Sequence, residues 1–256
     1  MVSGINSSQV YYFIGSLKKS LIAYAALKID TSYRSKVYGG KSFQEFLQYS
    51  DDYYSAVLLK DLLQNNKAKL NEVLTGDFDL PLYSLTDDAF LDSMPGENDF
   101  KKELNRNSTI YRQSIGQQKP YKFSEVMQWY ARMASGLKIE LSYLKEKKPY
   151  SPQSLNREER KYLLASLNKV LYGTATVVRT ALENNTIKTD KMICKTGTAE
   201  NSDRNDNSAS SFIIANAHYT IGIMLKGNIP DNSEKLAAKD LFIKIIPLLK
   251  KYKILD

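Results

Sequence analysis

Two stretches of this 256-residue chain combine residue types suited to acyl chemistry. Residues 192–201, MICKTGTAEN, pass from an apolar approach into Lys195, Thr196, Gly197 and Thr198, then into a polar run. A lysine, two hydroxyls and a glycine at the mouth of a sheet make an anion-binding strand that can serve a nucleophile elsewhere. Residues 14–27, IGSLKKSLIAYAAL, hold Ser16 and Lys19 at the start of a helical pattern. Positions i and i+3 share a helix face, so the Lys19 amine can reach the Ser16 hydroxyl. Near a buried helix N-terminus and other cations, a lysine pKa can fall far enough for the amine to act as a base. The helix N-terminus also favours charge developing on the attacking oxygen. Alone, this spacing reads first as a capping serine beside an exposed lysine; the downstream Lys-Thr-Gly-Thr changes the balance.

Composition removes competing chemistries. Cys194 is the only cysteine and His218 the only histidine, which excludes an intramolecular disulfide and multi-cysteine or histidine-rich metal sites. His218 lies in an apolar strand pattern near a turn and reads as structural. Asn205, Asp206 and Asn207 form a hairpin tip and lack the spacing of a calcium loop. We therefore expect neither metal nor cofactor. The net charge of +8 is spread along the chain, and no nucleic-acid-binding motif accompanies it. A solvated basic surface is the better reading, with no nucleic-acid partner. No apolar run is long enough to span a membrane, and Lys18 and Lys19 interrupt the N-terminal apolar stretch where a signal peptide is uniform. If the protein works outside the cytosol, its export signal or anchor is expected outside this chain.

The elements that must position these residues are mostly helical. Apolar periodicity predicts helices over about 16–28 and 53–65, and Ser42 with Glu45 forms a capping box opening a helix toward Tyr49. Residues 74–120 read as irregular. Further helices are expected at about 124–147, 157–171 and 174–184, with Ser124 and Asn156 as N-caps. Strands are expected near 190–197, 211–217 and 219–226, and an amphipathic helix closes the chain at 232–251. Trp129 falls on an apolar helix face and reads as core. No repeat or linker divides residues 1–256, so we expect one α+β domain, a helical body packed on a small antiparallel sheet.

Ser50-Asp51-Asp52 at a helix junction supplies a third motif, close to S-D-N. S-x-x-K, S-D-N and K-T-G together are the signature of penicillin-binding proteins and class A β-lactamases. The sequence resembles the penicillin-binding transpeptidase domain. GSLKKSLIAYAALK is similar to its G-S-x-x-K-P segment, and CKTGTAE to its G-K-T-G-T-A-E strand. SIGQQKPYKFSEVMQWYARMASG is similar to its G-Q stretch and following helix, and SSFIIANAHYTIGIMLKG to its apolar hairpin.

The resemblance implies Ser16 as the nucleophile toward a D-Ala-D-Ala peptide, Lys19 as its base and Ser50 as a proton relay. It implies positive charge from Lys195, carboxylate binding by Thr196 and Thr198, and an oxyanion hole from the Ser16 and Thr198 N–H groups. Gly197 leaves room for substrate along the strand. The implied partners are peptidoglycan stem peptides, β-lactam antibiotics and an upstream glycosyltransferase or membrane-anchor domain. The implied location is extracytoplasmic.

Departures keep other readings open. Asp52 replaces an asparagine that donates to substrate; its carboxylate cannot donate when ionised, and it stabilises the charged form of Lys19, making that lysine a poorer base. Ser20 stands at the proline position, and Ser211 and Ile214 replace a tryptophan and a glycine. The chain starts about 15 residues before Ser16, where the family has one or two edge strands, so either the domain is trimmed or those strands are lost. The alternatives are a catalytically impaired pseudoenzyme and a β-lactamase or β-lactam sensor, for which no second base is visible. A basic nucleic-acid module has only charge in its favour.

Overall fold

The computed structural model describes residues 11–80, 109–117, 120–139, 151–152, 155–199, 209–226 and 237–255. Its helices are α1 (Lys18–Ile29), α2 (Phe43–Tyr49), α3 (Asp52–Phe78), α4 (Thr109–Ser114), α5 (Phe123–Ser135), α6 (Arg157–Asn168), α7 (Thr176–Asn184) and α8 (Ala238–Lys251). The sheet has β1 (Ile193–Ala199), β2 (Ala209–Ala215) and β3 (Thr220–Lys226), antiparallel and in chain order. β1 is therefore an edge strand of that sheet among the described residues.

Alternation along the strands divides two apolar clusters. Ile193, Ile213 and Ala215 face the helical body, whereas Cys194, Phe212 and Ile214 face α7 and α8. Cys194 is fully buried there, which pushes its thiol up to about 12 and keeps it unreactive. α1 is buried from Lys18 to Leu27, the pattern of a central helix that is apolar nearly all round. Trp129 is buried edge-on to Tyr121, as a core residue.

Local chemistry explains where the elements begin and end. Ser42 and Glu45 form the expected capping box on α2, and Asn156 accepts the Glu159 N–H at 2.9 Å to cap α6. Ser124 is not a cap: Lys122 holds the N-cap position of α5. That helix stops at Gly136 rather than near residue 147, because Gly136 turns left-handed (φ 72) and its N–H closes on the Arg132 carbonyl. Residues 140–150 lie outside the described residues.

Several expected boundaries move. The helix expected to end at residue 65 continues to Phe78, past a break at Asn66. Buried Arg132 ties its end to α5 by donating to the Asp77 carbonyl and the Asp79 carboxylate, each at 2.7 Å. Within 74–120, residues 109–114 are helical; residues 81–108 lie outside the described residues, as do 205–207 and 232–236. The first strand starts at Ile193 and runs on to Ala199, so the whole Lys-Thr-Gly-Thr segment is sheet. Tyr11–Tyr12 pairs with Tyr121–Lys122 and not with the sheet. His218 lies in the β2–β3 turn, where Asn216 Oδ1 accepts the His218 and Tyr219 N–H groups.

α2 is held by aromatic packing: buried Phe46 stacks on Tyr54 at 4.7 Å and meets Phe43 edge-on. Phe46→Ala is expected to cost about 3–5 kcal/mol in a denaturant titration, since the stacked rings cannot close the void.

Candidate active site

Ser16 lies on a 3-10 turn, Gly15–Leu17, that leads into α1. The turn is pressed onto β1 by positions that admit no side chain. Gly15 has φ +56, and a Cβ there would lie 2.4 Å from the Thr198 carbonyl oxygen. A Cβ on Gly197 would lie 2.3 Å from Ser211 Oγ and 2.6 Å from the Ile14 carbonyl oxygen. The Gly15 N–H also donates to the Gly116 carbonyl at 3.2 Å. Ser16 is thereby set beside Thr198, and the two N–H groups expected to form an oxyanion hole belong to adjoining segments. The reason expected for Gly197 is corrected: its missing side chain admits the Ser16 turn and Ser211 rather than leaving space along the strand.

Ser50 ends α2 in a left-handed conformation (φ 58, ψ 45), an uncommon one for a residue with a side chain. The turn frees Asp51 to cap α3 by accepting the Tyr54 N–H at 2.7 Å, so the tripeptide sits at a helix junction as its sequence implied. It also presents Ser50 to both lysines. Lys19 Nζ donates to the Ser50 carbonyl at 2.6 Å and to Ser50 Oγ at 3.2 Å, and pairs with Asp52 Oδ1. Lys195 Nζ donates to Ser50 Oγ at 2.7 Å and to the Thr196 carbonyl at 3.1 Å.

An ammonium has three N–H donors, and those of Lys19 are directed at Ser50 and Asp52. The expected contact from Lys19 to the Ser16 hydroxyl is not made, because the three donors are taken by the Asp52 carboxylate and the two Ser50 oxygens. Lys195 and Gly197 lie on the body face of β1, and Thr196 on the other. Thr196 Oγ1 donates to Thr174 Oγ1 at 3.0 Å, while Thr198 is exposed at the strand edge.

Both lysines are fully buried, but their electrostatics differ. Burial lowers the Lys19 pKa and the Asp52 carboxylate pulls it back up. Burial takes Lys195 well below its ordinary value, and the neighbouring Lys19 charge lowers it further. Lys195 has no carboxylate in hydrogen-bond contact among the described residues. The Asp52 contact thus favours the charged form of Lys19 directly, and Lys195 has no such contact.

Two side chains that hold this arrangement are not visible in the motifs. Tyr111, from a stretch that reads as irregular, donates its hydroxyl to Asp52 Oδ2 at 2.9 Å. Thr174 follows the 3-10 turn Lys169–Tyr172 by two residues and partners Thr196. Ser20, at the proline position, hydrogen-bonds the Tyr130 hydroxyl at 2.8 Å, and Tyr130 donates to the Leu17 carbonyl at 3.1 Å. Ser211, at the tryptophan position, bonds the Gly197 carbonyl at 3.2 Å.

No family model and no curated protein matches the sequence. Solved structures do. The transpeptidase domain of Burkholderia pseudomallei penicillin-binding protein 3 superposes with a TM-score of 0.61 at 13% identity, over 97% of this chain and 82% of that one. This chain has the penicillin-binding transpeptidase fold. A peptidoglycan glycosyltransferase from Burkholderia ambifaria gives 0.63 at 11% identity, over 99% of this chain and 84% of that one. Penicillin-binding protein 2 of Helicobacter pylori, solved in complex with MreC, gives 0.62 at 16%, over 97% of this chain and 51% of that one. The α+β architecture expected from the sequence is thus the one observed.

The state of Lys195 has a measurable consequence. Between its lowered folded pKa and the ordinary 10.5, the unfolded chain holds a proton that the folded chain has released. Stability therefore rises with pH across that window, and the cost of the buried charge is greatest below it. Lys195→Met is expected to be more stable than the parent near neutral pH by about 1 kcal/mol. That advantage should shrink as pH rises toward 10, read from paired denaturant titrations.

Proposed function

We propose that this chain is an extracytoplasmic domain of peptidoglycan synthesis, a D,D-transpeptidase acting through an acyl-enzyme on Ser16 and acylated there by β-lactams. The observation that carries this reading is the Ser50 hydroxyl bonded by two buried lysines, one of them three residues beyond Ser16 on the same helical segment. The solved neighbours add support at the level of fold, because penicillin-binding transpeptidase domains are among them. An upstream glycosyltransferase or anchor domain is the corresponding expectation for the longer assembly.

In the proposed reaction Ser16 Oγ bonds to the penultimate D-alanine carbonyl carbon of a stem peptide. Its proton passes through the Ser50 hydroxyl to a neutral lysine, and the carbonyl oxygen takes negative charge opposite the Ser16 and Thr198 N–H groups. As the C–N bond breaks, the proton returns to the nitrogen of the departing D-alanine. An acceptor amine then attacks the ester, yields the cross-link and restores Ser16. Lys195, free of any carboxylate contact among the described residues and bonded to Ser50, is the better acceptor for the first proton. Lys19, held by Asp52, contributes charge. Thr196 and Thr198 take the terminal carboxylate, with Thr174 orienting Thr196.

One observation favours a second reading. Lys19 is paired with Asp52, and its donors are directed away from Ser16. A chain that keeps this pair closed has the fold and a stalled site, a pseudoenzyme that binds its partner without turnover.

Fluorescent penicillin with intact-mass analysis and peptide mapping separates the two. The transpeptidase reading expects one adduct, on Ser16, and none in Ser16→Ala. Asp52→Asn is expected to preserve or raise the acylation rate, by about tenfold if the ion pair is the brake. A folded parent and a folded Asp52→Asn that both stay unlabelled would establish the pseudoenzyme.

A further inference from the structure

A second cleft, of about 950 Å³, lies away from Ser16, between α6 and the opposite end of the sheet. One face of α6 and the 3-10 turn after it lines the cleft, at every third or fourth position from Arg157 to Tyr172. Across it stand residues 190–193, which lead into β1, and the β2–β3 turn.

Its charges are one-sided. Arg157, Arg160, Lys161, Lys169 and Lys191 line it, with Asp190 the one carboxylate among its lining residues. The acidic residues of α6 are turned elsewhere: Glu158 and Glu159 do not line the cleft, and buried Glu159 lies 3.8 Å from Arg34. Arg157, Lys161 and Lys191 are exposed, and no ion pair holds them among the described residues. Arg160 is half-buried: its guanidinium donates to the Ala134 carbonyl, while its enclosed Nε has no partner among the described residues. Between the cations the lining is apolar, with Leu164 and Ala165 on the helix side and Met192 and Ile193 on the strand side.

Cations scattered on a solvated surface would be distributed around α6 and interleaved with its carboxylates. Here they converge from two elements on one concavity with an apolar lining, in the size range of small-molecule sites. We infer that this cleft is a binding site for an amphipathic anion, a phosphate- or carboxylate-headed molecule whose apolar part lies on Leu164 and Met192. Lys161 and Lys191, on facing walls, take the head group. This site is independent of acylation at Ser16.

Calorimetric titration of the intact chain with octyl phosphate below its micelle concentration tests the inference, with octyl glucoside and inorganic phosphate as controls. Octyl phosphate is expected to bind at one site at least about tenfold more tightly than either control. Lys161→Glu with Lys191→Glu is expected to weaken binding by about tenfold or more, whereas Ser16→Ala and the distant Lys250→Glu leave it unchanged. Both lysines are exposed, so the double variant should keep the parental unfolding midpoint.

Equal binding of octyl glucoside would show a merely apolar groove. Equal binding of inorganic phosphate would show an unselective anion patch. Full affinity in the double variant would place the ligand elsewhere, and no binding of octyl phosphate would remove the site. Each of these results overturns the inference, and none of them bears on Ser16.

Discussion

Two lysine amines are buried within hydrogen-bonding reach of one serine hydroxyl, and the packing around the site serves that arrangement. A lone buried ammonium carries a large desolvation cost, so its charge must be matched or given up. Lys19 is matched, by Asp52 and by the Ser50 carbonyl. Lys195 has only the Ser50 hydroxyl and the Thr196 carbonyl, so burial disfavours its charge more strongly. The left-handed backbone at Ser50 is the conformational cost of directing a carbonyl and a hydroxyl at both amines from a single residue. The Phe46–Tyr54 stack and the Asp51 cap supply the rigid junction that over-determines it.

This electrostatic asymmetry gives Asp52, one of several departures from the transpeptidase pattern, a direct structural effect. With asparagine at position 52, Lys19 would lose its carboxylate partner, and the two equally buried amines would become more alike. Asp52 supports charge on Lys19, and Lys195 lacks an equivalent contact among the described residues. Tyr111 strengthens the effect by holding the second Asp52 oxygen, which fixes the carboxylate against Lys19. The same pair can act in either direction. It orders the proton path if Lys195 serves the nucleophile, and it stalls the site if only Lys19 can.

Much of this was legible in the sequence, because the features concerned are set locally. The Ser42–Glu45 capping box, the Asn156 cap and the period-2 pattern of the strands depend on neighbouring residues, and all are found. Ser16, Lys19, Ser50 and Lys195 fall into one region because their spacing matches a fold in which helix start, helix junction and edge strand converge. What could not be read depends on distant contacts. Gly136 ends α5 early by adopting a left-handed turn, which composition alone does not dictate. The reason for Gly197 emerged only once the Ser16 turn was seen against its hydrogen. Tyr111 and Thr174 carry no motif, and their partners lie on other elements. The direction of the Lys19 amine was misjudged for the same reason: i, i+3 spacing gives reach, while the choice among acceptors belongs to the folded site.

The central claim is the order in which the two lysines lose their protons. Nitrogen-detected NMR of the two Nζ groups, titrated in the intact chain and assigned by single substitution, reads that order directly. Lys195 is expected to become neutral at lower pH than Lys19, and the gap should narrow in Asp52→Asn. A Lys19 amine that titrates first in the parent chain would contradict the account, because Asp52 would then not be holding its charge.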